Sequence, residues 1–142
     1  MVDASRSQGT AGVRKQLDLV QAYLRHQPDA RVEIVVYRRW AKRLFGRLVP
    51  ARQVARELAR VHPNRLAPLN GSHLDNGLGL AAHLLRKQDG AVRIVAFTDS
   101  RLRTAFDATS TGQLVAASPE RAVLHIVDIA GGSHQVLSLI HI

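Results

Sequence analysis

Ile94-Val95-Ala96-Phe97-Thr98-Asp99-Ser100 is an apolar run that stops abruptly on hydroxyl and carboxylate side chains. With Ala91 to Arg93 in front of it, the run to Phe97 reads as a strand buried on both faces. Two further stretches read the same way. Val32, Ile34, Val35, Val36 and Tyr37 form one, broken only by Glu33, and Val123 to Ile129 form the other. Helical patterns lie between them. Val13, Leu17, Val20 and Leu24 recur at three- and four-residue steps, predicting a helix over 13–26 that Pro28-Asp29 ends. Pro50 occupies the favoured first position of a second helix running to about Val61. Leu74, Leu78, Ala81 and Leu85 share one face of a third, preceded by Ser72-His73-Leu74-Asp75, which has the form of a capping box. Arg43 to Val49 is a weaker apolar stretch, read as a short edge strand, and Arg101 to Phe106 as a short helix. Strands that alternate with helices predict the α/β class, with a mostly parallel, Rossmann-like sheet covered on both faces. In such folds ligands gather at the carboxyl ends of the strands.

The 142 residues amount to one domain, and at 46% hydrophobic they can bury a core, which excludes global disorder. No apolar run approaches the roughly 20 residues that span a bilayer. There is no cysteine, so any metal site must use oxygen or imidazole ligands. The net charge is +9, and 17 of the 20 basic residues are arginine. They are spread from Arg6 to Arg121, and only Arg38, Arg39, Lys42, Arg43 and Arg47 cluster. That charge attracts phosphate or acidic proteins; the plainer reading is a solvated, arginine-rich surface.

Three polar loops follow apolar stretches and carry oxygen ligands. Asp3-Ala4-Ser5-Arg6-Ser7 is an Asp-x-Ser-x-Ser motif behind Met1-Val2. Alternate positions on a curling loop can aim one carboxylate and two hydroxyls at one centre, which suits a hard cation. The plain alternative is a set of turn and capping side chains. Ser72 and Asp99 supply the other two loops, each with helix capping as its own alternative.

In that order the three segments resemble the von Willebrand factor type A domain with its metal-ion-dependent adhesion site. The matching residues are Asp3-Ala4-Ser5-Arg6-Ser7, then Asn70-Gly71-Ser72-His73-Leu74, then the apolar strand ending in Thr98-Asp99. Ser72 stands where the family has threonine, and Ser100 where it has glycine. The resemblance implies Asp3, Ser5, Ser7, Ser72 and Asp99 as metal-site residues and Mg²⁺ or Mn²⁺ as the ion. It implies a protein ligand that presents a carboxylate, and binding without catalysis. Among relatives the layout is nearer to bacterial proteins similar to inter-α-trypsin inhibitor heavy chains. It leans toward the cell envelope or secretion, but the compartment stays open.

Two readings compete with this one. The arginine excess, with Trp40 and Tyr37 as stacking groups, would serve nucleic acid, and Asp3 at a strand end could act as a nucleophile. No His-x₃-His or His-Glu-x-x-His pair occurs; His83 and His125 read as core or near-core, and His73 as a rim residue. The domain is expected to occupy 1–136 and to lack most of its first strand, so that the chain as given folds poorly alone. Residues 137–142 read as a translated library adaptor, the rival being a genuine last strand.

Overall fold

The computed structural model describes residues 1–86, 88–99 and 122–129, together with the backbone of 136–141. Its strands are β1 (Val2–Asp3), β2 (Arg31–Val32), β3 (Val35–Tyr37), β4 (Ala41–Arg43), β5 (Val49–Pro50), β6 (Val92–Thr98), β7 (Ala122–Asp128) and β8 (Val136–His141). Its helices are α1 (Gly9–Leu24), α2 (Val54–Ala59) and α3 (Leu74–Leu85). The class is mixed α/β. The helix expected over 101–106 lies outside the described residues.

β1 is two residues long, yet both of its edges are used. On one side it pairs parallel with β3, Val2 opposite Val36 and Asp3 opposite Tyr37, and β4 continues that sheet antiparallel. On the other side the Phe97 N–H donates to the Met1 carbonyl (3.1 Å), and the Met1 amine donates to the Val95 carbonyl. β6 pairs parallel with β7 over seven residues, and β8 adds antiparallel to β7. The segment read as an adaptor or a last strand thus lies, as far as His141, in a paired strand.

Alternation along the strands divides the core in two. Val2, Ala4 and Val36 pack with Val13, Leu17, Val20 and Leu24 of α1. Met1, Tyr37, Ile94, Ala96 and Leu124 pack with Leu74, Leu78, Ala81 and Ala82 of α3. The close seating of α3 needs a residue without a side chain. A Cβ on Gly77 would lie 2.5 Å from Met1 Cε and 3.2 Å from Tyr37 Cβ.

Four expected elements differ. The edge strand expected over Arg43 to Val49 is not one piece: β4 (Ala41–Arg43) ends where it was to begin, and β5 (Val49–Pro50) begins where it was to end. The buried run from Val32 to Tyr37 is two strands, because Glu33 interrupts it. Its carboxylate accepts from the Ile34 N–H (3.0 Å), the Phe45 N–H (2.9 Å) and Arg43 Nε (2.9 Å). Before that break the chain pairs antiparallel with β5, and after it with β1 and β4. Helix α1 starts at Gly9 rather than near Val13 and ends at Leu24. Pro50 ends β5 and caps a 3-10 turn over Ala51–Gln53, so the second helix is only Val54–Ala59.

Candidate functional site

A continuing parallel ladder between β1 and β6 would pass the Asp3 N–H to the Phe97 carbonyl. Neither group makes that bond. The Asp3 N–H donates to Gln16 Oε1 (2.7 Å), and Gln16 Nε2 donates back to the Asp3 carbonyl (2.8 Å). The Phe97 carbonyl instead accepts from the Tyr37 hydroxyl. Two buried side chains thus replace a rung of the sheet, and every backbone group involved stays satisfied. The polar cluster follows in the chain where this backbone pairing stops.

The cluster is delivered by three separate segments. Asp3 ends β1, and Ser5 and Ser7 follow before α1. Asp99 is the residue after β6. Ser72 arrives on the loop ahead of α3, which is pinned from both sides. The Leu69 N–H donates to the Ala4 carbonyl (3.0 Å), with Leu69 bridged parallel to Ser5, and the His73 N–H donates to the Arg38 carbonyl (2.9 Å).

The side chains form a continuous hydrogen-bonded chain. Ser72 Oγ donates to Asp3 Oδ2 (3.3 Å), and Asp3 Oδ1 accepts from the Ser5 N–H (2.8 Å). The hydroxyls of Ser5 and Ser7 are 2.9 Å apart, and Ser7 Oγ donates to Asp99 Oδ2 (2.7 Å). All five residues predicted from three separate stretches therefore meet. Asp3, Ser5, Ser72 and Asp99 are buried while Ser7 is exposed, so the cluster opens to solvent at Ser7.

The capping alternative for Ser72 is not realised: His73 is the N-cap of α3, without a side-chain cap bond, and the Ser72 hydroxyl is spent on Asp3. Capping by Asp99 concerns a helix outside the described residues. His73 is half-buried, its ring 4.0 Å from the Asp75 carboxylate. His83 is exposed on α3 rather than near the core, since the buried stripe is Leu74, Gly77, Leu78, Ala81 and Ala82. His125 is half-buried on β7.

The electrostatics are lopsided. Burial pushes the Asp3 carboxyl above its ordinary range, and the negative charge of Asp99 pushes it further, against hydrogen bonds from Ser5 and Ser72. Burial, with Asp3 and Asp99 behind it, also pushes the Tyr37 phenol far up, so Tyr37 stays neutral and remains a donor. Among the described residues no lysine, arginine or histidine forms an ion pair with Asp3.

Among the described residues no three His, Cys, Asp or Glu side chains gather as a metal-holding group. The donor set here is different in kind, two carboxylates and three hydroxyls. Five oxygen-bearing side chains gathered together, open to solvent at Ser7, match what a hard divalent cation requires. The residues present therefore fit such an ion. Gln16 is the part that sequence reasoning missed. Its signal was a polar residue three after Val13 and four before Val20, on a stripe otherwise apolar.

No family model matches the chain, and no curated protein matches it.

Proposed function

We propose that this chain is a cation-dependent binding domain of the von Willebrand factor type A kind, with a Rossmann-like sheet read across β3, β1, β6 and β7. The observation that carries the reading is the convergence of Asp3, Ser5, Ser7, Ser72 and Asp99 from three loops within successive contacts of 2.7–3.3 Å. Ser5, Ser7 and Ser72 would hold Mg²⁺ or Mn²⁺ through hydroxyl oxygens, and Asp3 and Asp99 through carboxylates directly or across water.

Bound there, the ion supplies a Lewis-acidic position for an oxygen of the partner. Three of the five ligands are neutral, so their charge does not saturate it. Exposed Ser7 marks the side from which a partner carboxylate reaches it. The buried residues hold the geometry: Gln16 fixes the Asp3 backbone, and Tyr37 fixes the end of β6 at Phe97. Full burial of Asp3, with both its oxygens accepting hydrogen bonds, argues against its use as a nucleophile.

The test is thermal unfolding of the purified chain with Mg²⁺ or Mn²⁺ and then with EDTA. A ligand present at a hundred times its dissociation constant stabilises by about 2.7 kcal/mol. The expected outcome is a rise in Tm that EDTA reverses and that the double variant Ser5→Ala, Ser7→Ala no longer shows. A Tm indifferent to both ions in the parent chain removes the proposal.

A further inference from the structure

The hairpin joining β3 to β4 stands beside the polar cluster, and it is locked to the loop that carries Ser72. The Arg38 carbonyl accepts from the His73 N–H (2.9 Å), and the Arg39 carbonyl accepts from Asn76 Nδ2 (3.1 Å). Gly71, at φ +100°, touches the hairpin so closely that a Cβ there would lie 2.6 Å from the Arg39 nitrogen. With its carbonyls committed to these bonds, the hairpin turns Arg39 and Trp40 outward. Both are exposed, Trp40 at 69% of its surface.

The basic residues of this part of the chain fall into two sets. Arg43 pairs with Glu33, and Arg47 and Arg60 pair with Glu57. Arg38, Arg39, Lys42 and Arg65 form no ion pair among the described residues. Arg38 and Arg65 are nonetheless ordered by backbone carbonyls: Arg38 Nη2 donates to the Arg65 carbonyl (2.7 Å) and Arg65 Nη2 to the Arg43 carbonyl (2.9 Å). A large aromatic side chain left in water, on a hairpin whose Arg38, Arg39 and Lys42 have no acidic partner among the described residues, is the composition of a binding surface rather than of an ordinary solvated face.

We infer that this hairpin is the second half of the ligand site, and that the partner is an acidic protein segment bearing an apolar side chain. One carboxylate of the segment reaches the cation between Ser5, Ser7 and Asp99. Its neighbours meet Arg39 and Lys42, and its apolar side chain covers Trp40. Charge complementarity selects the partner: the cation and the four unpaired basic groups all attract acid and repel base. The inference rests on the cation-binding reading of the cluster, and it adds where the rest of the ligand lies and what it must carry.

Trp40 is the only tryptophan of the chain, so its emission reports on this surface alone. The probe is a short glutamate-rich peptide with one leucine, titrated into the whole chain in Mg²⁺ and again in EDTA. Expected are a blue shift of Trp40 emission in Mg²⁺ and loss of binding in EDTA. Arg39→Glu and, read by calorimetry, Trp40→Ser should each weaken binding by about tenfold or more, the loss expected of an interface anchor. Both variants should keep the Mg²⁺-dependent rise in Tm, which separates loss of this surface from loss of the cation.

Peptide binding that ignores both substitutions and leaves the emission unmoved would overturn the inference while leaving the cation site standing. A chain that takes up no Mg²⁺ overturns both. Tight binding of a single-stranded oligonucleotide that is indifferent to EDTA, in place of the peptide, assigns the patch to phosphate and likewise overturns it.

Discussion

The two ends of the strands around β1 solve opposite problems. At the amino end, Leu24 of α1, Ala81 and Leu85 of α3 and Ile94 of β6 converge with Val32 and Met1 on a cleft that is mostly apolar, with Asp29, Glu33 and Arg93 also lining it. At the carboxyl end, Asp3, Ser5, Ser72 and Asp99 are buried together and joined through Ser7 in one hydrogen-bonded series. Apolar burial lowers the free energy of the fold without demanding a particular geometry. Buried carboxylates raise it unless partners are placed for each oxygen.

That contrast can be broken most forcefully from the apolar end. Ile94→Ala removes a buried side chain from the α3 side of the core, where large-to-small changes cost about 2–5 kcal/mol. Chemical denaturation should give the same loss in Mg²⁺ and in EDTA, because the residue serves packing alone. A loss that differed strongly between the two conditions would mean that the two ends are energetically coupled.

The next effect comes from the wedge between them. Gln16→Leu keeps the size of the side chain and deprives the Asp3 N–H and carbonyl of their partners. Each buried orphan costs about 1–3 kcal/mol. Unlike Ile94→Ala, this substitution should also weaken Mg²⁺ binding, since Asp3 loses its fixed backbone. A variant as stable as the parent chain would show that the β1–β6 ladder can close in place of the glutamine.

What could be read from sequence divides along the same line. The apolar strands at Val92–Thr98 and Ala122–Asp128 and the α3 stripe were legible, because burial writes itself as runs and periods. The five oxygen-bearing residues were legible through a resemblance, with their order and spacing as its content; that they meet is a matter of the fold. Glu33 and Gln16 were not legible. Each is a polar residue inside an apolar pattern that gives up its side chain to backbone groups distant in sequence, and periodicity records no such pairing. Tyr37 was legible as the end of a buried strand, which it is; the rival reading that offered it as a stacking surface for bases fails, since its hydroxyl is spent on the Phe97 carbonyl and only Trp40 of that pair is exposed.

The smallest change in stability should carry the most information about the polar end. Ser7 is exposed, and its hydroxyl contacts only Ser5 and Asp99 among the bonds that join the cluster. In EDTA, Ser7→Ala should shift stability by no more than about 0.5 kcal/mol, the usual range for a surface substitution. In Mg²⁺ the same variant should lose most of the stabilisation the ion confers. Even groups one bond removed from a metal ligand cost about 10–100-fold in affinity when deleted, so a ligand should cost no less. Calorimetric titration of Mg²⁺ into the parent chain and the variant measures this directly. Equal affinities would mean that Ser7 merely bridges two neighbours, and the cluster would then read as a polar plug in a splayed sheet. A large loss of affinity beside an unchanged fold would mean that this hydroxyl is kept for an ion, and that the cost of burying Asp3 and Asp99 is met when the ion binds.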